Sequence, residues 1–117
     1  MIVGRTFHID AAHRLPNYSG KCANVHGHTW KITVEVEGEI CPETGMVVDL
    51  HDLKEAVEEE LRKLDHNDLN RYMEIPTCEN MAERLLLRLS EEWAKDGHVY
   101  SVQVQEGEGG YARATSN

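Results

Sequence analysis

Two stretches of strict alternation constrain this chain more than any other feature. From Val3 to His13, the apolar residues Phe7, Ile9 and Ala11 interleave with the polar Thr6, His8 and Asp10. From His26 to Gly38, Trp30, Ile32, Val34 and Val36 stand against Thr29, Lys31, Thr33, Glu35 and Glu37. A period of two belongs to a half-buried strand, so both stretches are predicted strands. His13 falls on the apolar face of the first, and His26 and His28 fall on that of the second. If the two pair as an antiparallel hairpin through the polar Pro16 to Val25 segment, the end of one lies beside the start of the other. All three imidazoles then meet at one end of the buried face. A bulge between the strands would shift the register by one residue and undo this parity.

The segment ICPETGMVV reads as a turn, followed by a helix from about Asp49, a good N-cap, with Asp52 in the first turn. Leu50, Leu53, Val57, Leu61 and Leu64 recur at helical spacing, with Glu55, Glu58, Glu59, Arg62 and Lys63 on the other side. A second helix is predicted after Thr77, its stripe formed by Ala82, Leu85, Leu86, Leu89 and Trp93 and its end at Gly97. In HVYSVQVQE, Tyr100, Val102, Val104 and Glu106 are expected on one strand face, so a carboxylate ends an apolar row. A short strand around Tyr111 to Ala114 completes the order strand, strand, helix, helix, strand, strand. This is an α+β arrangement with helices on one face of a small antiparallel sheet. Its open edges are expected to pair with neighbouring subunits, which predicts an oligomer.

At 117 residues and 40% hydrophobic content, the chain fits one domain spanning residues 1–117. Lys+Arg 12 against Asp+Glu 21 gives a formal net charge of -9, which disfavours nucleic acid and anionic membranes as partners. An anionic small molecule would need a local basic pocket. The start, MIVGRTFHID, lacks the apolar core of a signal peptide, and no apolar run approaches the roughly 20 residues of a membrane helix. A cytoplasmic protein is expected. Cys22, Cys41 and Cys78 are odd in number and irregularly spaced, which argues against a disulfide framework.

Neutral imidazoles are the commonest zinc ligands, and three without a fourth protein ligand leave a position open for water or substrate. His13, His26 and His28 are the candidate metal ligands, zinc first. Cys22 is either a fourth ligand or a free thiol, which Lys21 and a metal would bias towards thiolate. Cys41 and Cys78 are assigned packing or surface roles. Asp65 and His66 close the first helix, where adjacent residues diverge by about 100°, so a direct bond between them is not expected. Glu106 needs a partner for its carboxylate. Adjacent donors on a pterin or guanine ring would satisfy both oxygens, and so would an arginine.

The segments AAHRL, CANVHGH, LDHNDLN, PTCENMAERL and VQEGEGG, in this order across nearly the whole chain, resemble the 6-pyruvoyltetrahydropterin synthase superfamily. The three-residue gap from Cys22 to His26 resembles its 6-carboxytetrahydropterin synthase branch. The resemblance implies the tunnelling fold, or T-fold, in which the sheets of two-helix subunits join as trimers and two trimers stack as a homohexamer with active sites between subunits. It implies zinc on His13, His26 and His28, Cys22 as proton acceptor assisted by Asp65 and His66, and Glu106 anchoring a pterin, with Thr77 lining the pocket. Arg14 and Lys21 flank the site and are the candidates for binding a triphosphate. The implied activity is that of a lyase in 7-deazaguanine (queuosine-type) biosynthesis. It would convert 7,8-dihydroneopterin triphosphate to 6-carboxy-5,6,7,8-tetrahydropterin, acetaldehyde and triphosphate. A 6-pyruvoyltetrahydropterin synthase or sepiapterin-cleaving activity is the nearest alternative, and a non-catalytic zinc- and pterin-binding module is the alternative of another class.

Overall fold

The computed structural model describes residues 1–116. Strands β1 (Ile2–His13), β2 (His26–Glu37), β3 (His98–Glu106) and β4 (Tyr111–Thr115) form one sheet in the order β1-β2-β3-β4, every neighbouring pair antiparallel. Helices α1 (Leu50–Leu64) and α2 (Cys78–Glu92) are carried between β2 and β3. Among the described residues, no helix is long and apolar enough to cross a membrane.

The β1–β2 ladder runs unbroken from Ile2↔Glu37 to His13↔His26, so the alternation seen in the sequence becomes one buried face. Phe7, Ile9, Ala11, Trp30, Ile32, Val34 and Val36 all lie in it. Leu53, Val57 and Leu61 of α1 and Met81, Leu85 and Leu89 of α2 close the core from the other side. Burying a side chain of this size is worth about 1.5–3 kcal/mol, so the core carries the fold and leaves the polar sheet face to other duties.

Both helices begin where capping chemistry places them. Asp49 accepts from the His51 N–H at 2.8 Å, and Thr77 accepts from the Asn80 N–H at 3.1 Å. Such caps satisfy otherwise orphaned donors of the first turn and are worth about 1 kcal/mol each.

Three sequence expectations need correction. Leu50 is 43% exposed, because the first residue of α1 projects past the sheet into a surface groove with Met1, Val3, Ile40 and Met46. The inward position one turn before Leu64 is taken instead by Glu60, which accepts from Lys63 Nζ at 3.1 Å and from Arg88 Nε at 2.9 Å and so ties α1 to α2. Burial pushes the Glu60 carboxyl up, but the hydrogen bonds from Arg88 and Lys63 outweigh it and hold the group below the ordinary carboxylate range. Tyr100 leaves the row of Val102, Val104 and Glu106. A bulge pairs Val36 with Val99 and Glu35 with Ser101, so Val99 takes the core and the Tyr100 ring faces the Arg113 guanidinium at 5.6 Å.

Helix α2 also stops short of Gly97. Trp93 is already extended, and Gly97 adopts a positive φ of 73° where a Cβ would lie 2.7 Å from the Glu37 carbonyl oxygen. That close approach, rather than a helix cap, requires glycine there.

Candidate metal centre

The unbulged register puts His13 opposite His26 and Ala11 opposite His28, so the three imidazoles converge as the alternation predicted. One ligand atom from each lies within 4.8 Å of the others, and Cys22 stands outside the group. Ring centroids are 4.6 to 5.2 Å apart. Trp30, fully buried, packs its edge on His13 and His28 and donates its Nε1–H to the Ala11 carbonyl at 3.1 Å.

The tautomers follow from the outer partners. His13 Nδ1 lies 2.7 Å from the Pro76 carbonyl and His26 Nδ1 lies 2.7 Å from the Asn24 carbonyl. A carbonyl only accepts, so both Nδ1 atoms carry hydrogen and both Nε2 atoms present lone pairs. Those two lone pairs face each other at 3.1 Å. Two acceptors so placed repel unless a cation or a proton lies between them. His28 Nε2 is buried without a hydrogen bond, although Glu106 Oε1 approaches to 3.0 Å. Burial lowers the His28 pKa most, Glu106 opposes this, and the neighbouring imidazoles add to it, so the neutral, ligating form is favoured. Inward lone pairs on His13 and His26, their N–H groups held by carbonyls and the orphaned His28 nitrogen fit a divalent metal ion.

Glu106 does end the apolar row, opposite Trp30, and is half-buried. It lines a cleft of about 360 Å³ with Cys78, Glu79, Gly109, Gly110, Tyr111 and Ala112. Cys78 packs in this wall: its Sγ lies 3.9 Å from the Gly110 carbonyl, and burial, with Glu106 and Glu79 adding, pushes its thiol up. Cys41 is exposed in its turn, and its thiol is lowered by hydrogen bonding with Thr44.

Cys22 is half-buried on a single 3-10 turn, Lys21–Ala23, and its carbonyl accepts from the Leu15 N–H at 2.8 Å, which closes the loop beside the centre. Arg14 and Lys21 are exposed on the same loop. The Thr77 hydroxyl is engaged as the α2 cap, one residue from the carbonyl that holds His13.

Asp65 and His66 come close although adjacent in sequence: Nδ1 and Oδ1 are 3.0 Å apart. Helix α1 ends at Leu64, Asp65 is extended, and His66 adopts a left-handed φ of 59°. Such a conformation costs a non-glycine residue roughly 1–3 kcal/mol. It is held by the Asp10 N–H donating to Asp65 Oδ1 at 2.9 Å and the His66 N–H donating to the Asp10 carbonyl at 2.6 Å. The His66 side chain is 77% exposed, on the outer edge of β1.

Four antiparallel strands, two helices inserted between the second and third, and a three-imidazole end to the first hairpin define a tunnelling-fold enzyme scaffold. The chain belongs to the 6-pyruvoyl tetrahydropterin synthase family, whose profile matches residues 2–117. It is 43% identical, over 96% of its own length and 93% of the other's, to an Archaeoglobus fulgidus protein provisionally named 6-carboxy-5,6,7,8-tetrahydropterin synthase. It is 38% identical to human 6-pyruvoyl tetrahydrobiopterin synthase, covering 89% of this chain and 83% of that one. The Caenorhabditis elegans 6-pyruvoyl tetrahydropterin synthase structure superposes with a TM-score of 0.89 at 28% identity, covering 100% of this chain and 96% of that one.

Proposed function

We propose that this chain is a zinc-dependent 6-carboxytetrahydropterin synthase. It converts 7,8-dihydroneopterin triphosphate and one water molecule to 6-carboxy-5,6,7,8-tetrahydropterin, acetaldehyde and triphosphate, on a route to 7-deazaguanine nucleosides of the queuosine type. The observation that carries the reading is the convergence of three imidazoles beside the half-buried Glu106. The identity to the carboxy-type relative and the Cys22 to His26 spacing favour the carboxy product over the pyruvoyl one.

His13, His26 and His28 would hold the zinc, which supplies Lewis acidity to the side-chain hydroxyls of the substrate. Glu106 receives the paired N–H donors of the pterin ring, and the neighbouring cleft, with Thr77 at its edge, receives the ring itself. That anchoring orients the side chain towards Cys22, which removes a carbon-bound proton. Arg14 and Lys21 meet the triphosphate. Asp65 orients His66, and the exposed imidazole relays protons for the Cys22 of a neighbouring subunit. This arrangement goes with a hexamer of two trimers, in which the edges β1 and β4 join sheets between subunits.

Incubation with 7,8-dihydroneopterin triphosphate followed by mass spectrometry is the test. Formation of the 6-carboxy product with acetaldehyde is expected. A 6-pyruvoyl product would move the chain to the other branch, and recovery of unchanged substrate by zinc-loaded protein would leave a binding module.

A further inference from the structure

We infer that Asn70 and Asn80 are positioning residues for the metal centre, each fixing His13 by a separate route. The inference rests on the metal reading above. His13 is the one imidazole of the three that is fully enclosed, at 1% exposure, and it is held from two directions.

The first direction is the backbone. The Arg14 N–H donates to Asn70 Oδ1 at 2.9 Å, and Asn70 Nδ2 donates to the Arg14 carbonyl at 3.0 Å. A side-chain amide thereby stands in for a neighbouring strand one residue past the end of β1. Only a group with donor and acceptor on one plane can do this, which selects asparagine over aspartate. Asn70 is itself set by its N–H donating to Asp68 Oδ1 at 2.9 Å, and the Ala12 N–H donates to the Asn67 carbonyl at 3.0 Å. The residues on both sides of His13 are therefore bonded to one segment.

The second direction is the ring. His13 Nδ1–H donates to the Pro76 carbonyl at 2.7 Å, and that carbonyl is aimed by a tight turn. The Thr77 N–H donates to the Ile75 carbonyl at 2.9 Å, and Asn80 grips the turn twice. Its Nδ2 donates to the Ile75 carbonyl at 2.7 Å, and its N–H donates to Thr77 Oγ1 at 3.1 Å. Asn80 thus sets Pro76, and Pro76 sets the tautomer that turns Nε2 inward. Outer partners of this kind govern metal affinity by about 10–100-fold.

Zinc ion titrated against a chromophoric chelator tests both residues in N70A and N80A, with N67A as the control. The Asn67 side chain donates only to the Lys63 and Asp65 carbonyls at the end of α1, so N67A loosens the same loop while keeping the backbone carbonyl that pairs with Ala12 and every contact of Asn70 and Asn80. N70A and N80A are expected to bind zinc about 10–100-fold more weakly than wild type, and N67A to match wild type. If N70A does not fold, N70D keeps the acceptor, loses the donor and reads the same effect. Nitrogen-15 NMR of zinc-free protein gives a second readout, with His13 in the Nδ1–H form in wild type and a share of the Nε2–H form in N80A. Wild-type zinc affinity in N70A and N80A, or an equal loss in N67A, overturns the inference. Wild type that binds no zinc would instead remove the metal reading, and an unchanged His13 tautomer in N80A would then overturn the role of Asn80.

Discussion

Two of the buried polar sites among the described residues are treated in opposite ways. Between the helices, Glu60 is 3% exposed and each of its oxygens has its own cation, Lys63 on one and Arg88 on the other. At the end of the first hairpin, His13 and His26 aim lone pairs at each other and His28 Nε2 has no hydrogen bond. A buried polar group left unsatisfied costs about 1–3 kcal/mol, so a chain that closes one such account fully and leaves the other open is not short of means. The difference separates a polar group that holds the fold from a polar cluster that waits for a ligand.

The largest expected effect comes from His13→Ala, which should take bound zinc from one per chain to near zero in metal analysis and abolish turnover. Retention of stoichiometric zinc would break the contrast at its centre. Cys22→Ala should keep the zinc and lower turnover by about 10²–10⁴-fold, the scale of a lost general base. Loss of zinc along with the thiol would make Cys22 a ligand instead. Glu106→Gln turns one acceptor into a donor and should weaken pterin binding by about 1.5–3 kcal/mol in calorimetry. Unchanged affinity would put the anchor elsewhere.

Glu60→Gln is the smallest change and the sharpest control, because it should cost about 1–2 kcal/mol of unfolding free energy and leave zinc untouched. The cost stays modest since Lys63 and Arg88 are 43% and 34% exposed and can turn to water. Its pH dependence has a definite sign. A carboxyl held below its usual range contributes stability above its unfolded pKa of about 4.3. That contribution is lost as pH falls through the lower folded value. Urea melts between pH 7 and 3 should therefore converge for wild type and Glu60→Gln at the acid end. Parallel curves would mean that Glu60 is not the group that titrates.

The readability of the sequence follows the same division. His13, His26 and His28 were legible because parity survives wherever a ladder has no bulge, and β1–β2 has none. Tyr100 was misplaced because the extra residue opposite Glu35 and Val36 carries no side-chain signature. Glu60 is hidden among four other acidic residues of α1, and a partner from another helix, Arg88, together with Lys63, makes its inward position tolerable. The Asp65–His66 approach depended on where α1 stops, and a shift of one residue turns a helical divergence into a contact. The cleft beside Glu106 was not legible at all, because Cys78 and Gly110 come next to that carboxylate only in the fold.

The pairing of His13 with His26 closes a loop from Arg14 to Val25 whose ends are otherwise drawn together by the strand ladder and the Leu15–Cys22 hydrogen bond. An ion shared by those two rings is a removable staple across that loop, bound by the native hairpin and not by the open chain. By mass action, free zinc at a hundred times the dissociation constant adds about 2.7 kcal/mol to the stability of the folded form. Heat resistance would then rise with the logarithm of available zinc, and a melting curve recorded across a metal buffer series would serve as a titration of the site.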